Sequence, residues 1–446
     1  MLRYGQFKRG APVTDPHSEN AASGAARWLR VERGEWPAVL LGFTYFFFLL
    51  AAYYVIRPVR DQLSAAVGSI ELPVFYSVTF VVTLALTPLF GALVARFTRR
   101  RFVPVVYAFF LAGMLAFIPL FREQGEIGAR FLGTVFFVWV SVFNLFVVAV
   151  FWSFMADLFD PGQSRRLFPL IALGGPLGAI AGPILTRELV FRVGVSGLLG
   201  VSAAMLGATM ACIFALLRWS HAHPVRGDAR RDERIIGGGV MAGAAITFSS
   251  PLLFRLAALM LLGDSVGTVI YALLADYSHA HFHTAVARID FAAGIDLGTN
   301  LLQAALQILL TRELMVRLGP VWALVTDGAI KALMLAGLIV FGAGWIAVVA
   351  VVTRASAYGV FKPANDSLYT LVDAETRYKG KNFIDTVVWR FGDVVITSGL
   401  NALRGAGVAI AGLAGLTMLA AGASGFLGWR VGRARELRDE ATVPAH

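Results

Sequence analysis

Long runs of apolar residues recur along the whole chain and limit the folds that it can adopt. The stretch from Phe102 to Phe121, for example, contains no charged residue. A membrane-spanning helix needs about twenty such residues, and in lipid every backbone polar group must be bonded within the spanning segment. Apolar types make up 57% of the 446 residues and charged types only 15%, against about a quarter in soluble domains. The sequence therefore predicts an all-α polytopic membrane protein.

The apolar runs predict about twelve transmembrane helices in two halves. In the first half we expect spans at 36–57, 70–95, 102–121, 130–157, 168–189 and 194–217. In the second half we expect 252–276, 286–311, 320–341, 344–361, 382–403 and 405–429. Two six-helix halves joined by a basic linker are the plan of the major facilitator fold. The predicted parts are an N-terminal segment 1–34, a half 35–218, a linker 219–251 with an amphipathic helix at 235–248, a half 252–430 and a tail 431–446.

The formal net charge of +11 follows from topology. Most Lys and Arg residues lie in the N-terminal segment, the tail and the loops that follow even-numbered spans, and such residues mark the cytoplasmic side. We therefore expect a multi-pass protein of a bacterial inner membrane with both termini in the cytoplasm, and no nucleic-acid partner. No Gly-rich phosphate loop is present, so neither an enzyme nor a cofactor is expected. His279, His281 and His283 alternate, but no carboxylate set completes a metal site, and none is expected.

A basic loop follows the second span. It contains Arg96, Arg99, Arg100 and Arg101 and is similar to the facilitator motif between helices two and three. Such residues can cap helix C-termini and lock a gate through ion pairs. They also fit a positive-inside loop without a gating role. Both interpretations remain open from the sequence.

Ionisable residues inside the predicted spans are costly and usually face a cavity or a partner. They are Arg57, Arg60 and Asp61 in the first span, Asp296 in the eighth, Asp327 and Lys331 in the ninth, Arg354, Lys362 and Asp366 in the tenth, and Asp385, Arg390 and Asp393 in the eleventh. Asp327 and Lys331 are four residues apart, so a structural ion pair is expected. In the facilitator fold the first, fourth, seventh and tenth helices line the cavity. Guanidinium groups bind phosphate or carboxylate, so Arg57 and Arg60 favour an anionic substrate.

Several strings resemble the non-mitochondrial ATP/ADP antiporters. Arg57-Pro-Val-Arg60-Asp61 is similar to that family's Arg-x-x-Lys-Asp signature, and Lys379-Gly-Lys381 to Ile384-Asp385 is similar to its Lys-Gly-Lys-x-x-Ile-Asp block. A third block begins at Arg354-Ala-Ser-Ala-Tyr358. The sequence departs from the family at Val140 and Leu274, where Glu is usual, and at Asn365, where Lys is usual.

This resemblance implies exchange of anionic or phosphorylated solutes, with ATP or ADP as the candidate substrate. Substrate contacts are expected from Arg57, Arg60, Lys362, Asn365 and Arg390. Asp61, Asp366 and Asp385 are expected to pair with these bases when no substrate is bound. The second hypothesis is a proton-coupled facilitator for another metabolite, drug or lipid-like molecule, with Asp61 or Asp296 as the proton carrier. A third is a non-transporting sensor on a transporter fold, and the oligomeric state is open.

Overall fold

The computed structural model describes residues 31–32, 34–96, 99–123, 128–222 and 240–432. Residues 1–30 of the predicted segment 1–34, part of the linker (223–239) and the tail from 433 lie outside them, as do residues 33, 97–98 and 124–127. The first half consists of α1 (Trp36–Val67), α2 (Leu72–Arg96), α3 (Arg99–Arg122), α4 (Ala129–Leu158), α5 (Pro161–Ala172) and α6 (Gly174–Ala222). The second half, preceded by α7 (Val240–Ser249), consists of α8 (Pro251–His281), α9 (Ala285–Leu306), α10 (Arg312–Arg317), α11 (Pro320–Phe341), α12 (Ile346–Ser356), α13 (Lys362–Leu368), α14 (Ala374–Phe383), α15 (Trp389–Gly405) and α16 (Ile410–Val431).

The all-helical membrane fold predicted from the apolar runs is confirmed. Ten helical stretches of the described residues are long and apolar enough to cross a membrane. Two further crossings follow from α6, which is one of these stretches but is long enough for two spans, and from α14 with α15. The stretch from α14 to α15 is not among the ten apolar stretches. It carries four charged residues, which are Asp385, Arg390, Asp393 and Arg404.

Helix α6 turns back on itself at Gly194. Its 49 residues would extend about 74 Å if straight, far more than a bilayer core of about 30 Å. Gly194 has a φ of 62°, a conformation that favours glycine. The Ser202 hydroxyl donates to the Ala52 carbonyl over 2.9 Å, and Gly182 also contacts the backbone of Ala51. The parts of α6 before and after Gly194 therefore pack beside the same turn of α1.

Gly174, Gly178 and Gly182 recur at helical spacing in the fifth predicted span, and such small-residue faces predict close helix packing. In the structure this face lies against α1. A Cβ atom at Gly178 would stand 2.3 Å from the Phe47 carbonyl oxygen, and one at Gly174 would stand 2.3 Å from the Phe43 carbonyl oxygen. Only residues without a Cβ permit this backbone approach, which is how small residues pack transmembrane helices. The interpretation of Gly174, Gly178 and Gly182 as packing residues is therefore confirmed.

The first span extends ten residues beyond its predicted end at Arg57, so that prediction was wrong. Pro58 lies inside α1. A proline removes one helical hydrogen bond and bends a helix without necessarily ending it. The charges that suggested a helix end are buried against carboxylates of the protein interior, as described below. Arg57, Arg60 and Asp61 are consequently helical residues within the membrane.

Three of the spans in the second half contain a π-helical turn, at Gln307–Thr311, Ala357–Phe361 and Ile384–Val388. Such bulges release backbone groups and are frequent at functional sites. The Thr311 hydroxyl donates to the Gly359 carbonyl over 2.7 Å, which joins two of the bulges. The predicted amphipathic helix at 235–248 is described only from Val240 onward. There it packs on α14, with Gly243 close to the Lys379 carbonyl.

The bundle has two ends, here named by their residues. The terminal face is the end at which α1 begins and α16 finishes, and the opposite face is the end with the α1–α2 and α8–α9 connections. Among the described residues, hydrogen bonds between the halves extend from mid-membrane, where the Asn300 amide donates to the Ala179 carbonyl over 2.6 Å, to the opposite face. There the Asn401 amide donates to the Ile70 carbonyl over 2.9 Å, and Arg187 lies 2.9 Å from Asp290.

Candidate functional site: a cavity between the two halves

A cavity of about 340 Å³ lies between the two halves at mid-membrane. It is lined by the helices expected from the facilitator plan, namely α1, α4, α8 and α12, and also by α2, α9 and α15. Its charged wall residues are Arg57, Arg60, Asp264, Arg354, Arg390 and Asp393. Its aromatic residues are Tyr53, Tyr54, Tyr76, Phe137, Tyr271, Tyr358 and Trp389. The amide groups of Asn144 and Gln303 and the hydroxyls of Ser141 and Thr268 complete its polar wall.

Helix α1 supplies two of the guanidinium groups. Arg57 and Arg60 are one turn apart and face the same cavity, as helical spacing requires. Arg60 Nη2 donates to Asp61 Oδ1 over 2.7 Å, and the Tyr271 hydroxyl of the second half donates to the same oxygen over 3.0 Å. Arg57 Nε is 3.9 Å from Asp61 Oδ2. Asp61 thus balances both arginines and connects them to α8.

Asp296 lies behind the cavity wall and joins an arginine from each half. Its side chain is 0% exposed. Arg354 Nη2 of α12 donates to Asp296 Oδ1 over 2.8 Å, while Arg57 Nε of α1 is 3.6 Å from Asp296 Oδ2. Neither Arg57 Nε nor Asp296 Oδ2 has a hydrogen-bond partner among the described residues. The contact across the halves is therefore an ion pair without a hydrogen bond.

A third cluster of acidic and basic side chains lies on α8 and α15. The Thr268 hydroxyl donates to Asp393 Oδ1 over 2.8 Å, and Arg390 Nη1 is 3.7 Å from Asp393 Oδ2. Asp264, one helical turn before Thr268, borders the same cavity. Together with Arg57, Arg60 and Arg354, Arg390 gives the cavity guanidinium groups from both halves, each close to a carboxylate.

Aromatic rings lie beside these charges. The Arg57 guanidinium is 5.5 Å from the Tyr54 ring centroid, that of Arg60 is 5.0 Å from Phe137, and that of Arg390 is 5.8 Å from Trp389. These distances are within the range of cation–π attraction. The cavity therefore offers flat apolar surfaces together with donors for an anion.

The remaining predicted site residues lie nearer the terminal face. Lys362 follows Arg354 by eight residues, which is about 12 Å along a helix, and it borders a smaller cavity of about 80 Å³. Lys362 Nζ is 3.3 Å from Asp366 and 3.4 Å from Asp385. Asn365 is buried and lines neither cavity. The structure thus brings Arg57, Arg60 and Arg390 to one cavity. Lys362 borders the smaller cavity, which adjoins the first and shares Asp264, Arg354 and Trp389 with it, while Asn365 borders neither.

Lys381 completes this second cluster and was not among the predicted site residues. It donates to Asp366 and lies 3.3 Å from Asp385, so two lysines and two aspartates join α13 to the start of the eleventh span. Each of the two lysines therefore contacts both aspartates.

The predicted gating loop is described only in part. The side chains of Arg96, Arg99 and Arg100 lie outside the described residues, and Arg101 is exposed.

Two of the alternating histidines lie near the opposite face. The ring nitrogen Nδ1 of His279 is 2.8 Å from the Ala65 carbonyl oxygen, and that of His281 is 2.9 Å from the Tyr277 carbonyl oxygen. His279 therefore joins α8 to the end of α1, whereas the His281 contact lies within α8.

Arg354 and Asp264 are the main cavity residues that the predicted site omitted. Arg354 was recognised as a charge in the tenth span, and its spacing of four residues from Tyr358 places both on one helix face. That spacing was the available signal. Asp264 carries the general signal of a carboxylate inside a predicted span, 252–276, which usually faces a cavity or a partner, but the sequence does not indicate its partners on other helices.

No family model matches the sequence, and no curated protein matches it. Solved structures do match. A bacterial homologue of the iron transporter ferroportin in its inward-facing state has a TM-score of 0.65 at 14% identity, over 90% of this chain and 99% of that one. The nucleoside transporter NupG has a TM-score of 0.61 at 12% identity, over 90% and 99%. A bacterial homolog of the human lysosomal transporter Spinster, inward-facing and unoccupied, has a TM-score of 0.53 at 13% identity, over 92% and 96%.

These likenesses cover nearly the whole of each chain. At such low identity they establish the fold: the chain is a polytopic membrane protein of the major facilitator-like fold. The predicted fold class is confirmed by them, whereas the finer resemblance to ATP/ADP antiporters is not tested by any of these structures. The function must be inferred from the cavity.

Proposed function

We propose that this protein is a secondary transporter that exchanges anionic, phosphorylated solutes across the membrane, with nucleotides as the candidate class. The observation that carries the proposal is the set of guanidinium groups on the cavity wall. Arg57 and Arg60 come from the first half and Arg354 and Arg390 from the second. A phosphate held between them would contact both halves at once.

The present pairing of these groups supports anion exchange. Each arginine lies within 4 Å of a carboxylate, and Arg57 and Arg354 share Asp296, so four guanidinium groups are paired with three carboxylates. An incoming phosphate can replace these carboxylates as the bidentate partner. The exchange of partners gives a ligand different affinities for different conformations, which a conformational cycle driven by binding requires.

The aromatic residues favour a substrate with a planar part. Tyr53, Tyr54, Tyr76, Tyr271 and Trp389 lie beside the arginines, and planar rings stack on such side chains for about 1–3 kcal/mol per nucleobase. The Asn144 and Gln303 amides can donate to and accept from the edge of a base. A nucleotide combines both requirements, whereas inorganic phosphate uses only the arginines.

The test is counterflow in proteoliposomes that contain the purified full-length protein. Vesicles are loaded with unlabelled ADP, and entry of labelled ADP is followed in the presence of ATP, adenosine, inorganic phosphate or a dicarboxylate outside. We expect saturable entry that requires internal ADP and is inhibited by ATP more strongly than by phosphate or adenosine.

The outcomes separate the classes of substrate. Inhibition by phosphate alone would indicate that the substrate is inorganic phosphate and not a nucleotide. Inhibition by the dicarboxylate alone would indicate that the substrate is a carboxylate. Absence of any ADP entry, with a protein shown to be folded and inserted, would contradict nucleotide exchange. Entry into empty vesicles that collapses with an uncoupler would contradict obligatory exchange.

A further inference from the structure

Asp296 differs from Asp61 and Asp393 in its hydrogen-bond donors, because it receives a hydrogen bond from an arginine and from no hydroxyl among the described residues. Asp61 accepts a hydrogen bond from the Tyr271 hydroxyl as well as from Arg60. Asp393 accepts one from the Thr268 hydroxyl. Among the described residues, the hydrogen-bond donor to Asp296 is Arg354 alone, and its other oxygen is without a donor. Asp296 would therefore have no donor if Arg354 moved away.

The two arginines near Asp296 are also the ones that an anion would attract. Arg57 and Arg354 border the cavity, whereas Asp296 is fully buried behind them. The Arg57 contact spans the two halves at 3.6 Å without a hydrogen bond. It can therefore be exchanged for a shorter, hydrogen-bonded contact to a phosphate oxygen.

We propose that Asp296 binds a proton when an anion occupies the cavity, so that the anion and the proton cross the membrane together. An anion that engages Arg57 and Arg354 leaves Asp296 as a buried carboxylate without a counter-charge, which is unfavourable unless the group is neutralised. The proton comes from water of the open cavity and returns to water when the anion leaves. This inference rests on the proposed function for the identity of the ligand.

The neighbouring groups favour proton binding once Arg57 and Arg354 are engaged. The groups that face Asp296 are Tyr54, Arg57, Arg60 and Asp61 of α1 and Arg354 of α12. Arg60 is held by Asp61 at 2.7 Å, and Asp61 is itself a negative charge that disfavours a second one nearby. Asn300, one turn along α9, donates to the Ala179 carbonyl.

The first test measures protons taken up on binding. ADP is titrated calorimetrically into the purified full-length protein in two buffers that differ in ionisation enthalpy. We expect about one proton taken up per ADP bound, and an affinity that falls by up to about tenfold for each unit of rising pH, because the bound state holds the extra proton. Asp296→Asn, which imitates the neutral acid, should bind ADP without proton uptake. Asp290→Asn, on the same helix, should retain the uptake.

The second test does not need a ligand. Arg57→Gln/Arg354→Gln removes both counter-charges, and infrared spectroscopy should then show the carbonyl stretch of a protonated carboxyl that is absent from the wild type. The band should disappear when Asp296→Asn is added. A folded double variant without the band would overturn the proposal, as would ADP binding to the wild type without proton uptake. A band in the double variant together with no ADP binding to the wild type would support the role of Asp296 and contradict the proposed substrate.

Discussion

The backbone N–H and the hydroxyl of Ser69 donate to the two carboxylate oxygens of Asp276, each over 2.9 Å, and join the halves at the opposite face. Arg404 of α15 lies 2.7 Å from the same carboxylate. The cluster connects the α1–α2 turn with α8 and α15. These contacts therefore hold the two halves together at the opposite face.

Asp276→Ala should weaken closure of the opposite face, because it removes the acceptor of Ser69 and the partner of Arg404. The measurement is the distance between spin labels at Glu123→Cys and Ala343→Cys, in a Cys212→Ser background. We expect a new population at longer distances. Glu71→Gln, whose partner Arg130 belongs to the same half, is the matched control and should leave the distances unchanged. Identical distributions for Asp276→Ala and the unaltered chain would show that the cluster does not hold this face closed.

Gly178→Ala should destabilise the first half, because a Cβ there would stand 2.3 Å from the Phe47 carbonyl oxygen. Backbone cannot yield like a flexible side chain, so we expect a loss of about 1–3 kcal/mol, as for overpacked cores. The check is the thermal unfolding midpoint of the purified protein. Gly207→Ala, on the same helix with no atom within 4 Å of the new Cβ, should be neutral or stabilising. Equal midpoints for the two variants would contradict close packing of α1 and α6.

Lys331→Met should destabilise the second half by removing one partner of a buried ion pair. Lys331 Nζ lies 2.8 Å from Asp327 Oδ2, and both side chains are at most 2% exposed. The pair predicted from the sequence is therefore present. The uncompensated Asp327 should cost about 3–5 kcal/mol, visible in thermal unfolding. Asp327→Asn/Lys331→Met should recover much of this loss, and a double variant as unstable as the single one would contradict the electrostatic cause.

The apolar runs were sufficient to predict the membrane fold, because spanning helices require them wherever they occur in a sequence. The end of α1 was misplaced because Pro58 and the charges around it resemble a helix end. Only partners from distant helices, such as Asp296, show that those charges are buried. The sixth predicted span begins at Gly194, which is where α6 turns back and where the backbone is not helical.

The sequence predicted several of the residues that border the cavity, but it did not show which residues lie together. Arg57, Arg60 and Arg390 were chosen for their charge inside a span, and they border one cavity. Lys362 and Asn365 were grouped with them by resemblance to the ATP/ADP antiporters, yet they lie about two and about three turns beyond Arg354 along the tenth span. Arg354 was recognised but not included, because its partner Asp296 is on α9. Helical periodicity assigns a residue to a face of its own helix, and contacts between helices need the fold.

The most direct test of the cavity as the transport site is the initial rate of ADP counterflow by the wild type, Arg57→Gln and Arg354→Gln. A charge-assisted hydrogen bond contributes about 1.5–3 kcal/mol. Each substitution should therefore lower the rate roughly 10- to 100-fold, with the thermal unfolding midpoint showing that the variants are folded. Arg317→Gln, an arginine 77% exposed on α10, should transport like the wild type. Wild-type rates for both Arg57→Gln and Arg354→Gln would contradict the assignment of these arginines to the transported anion.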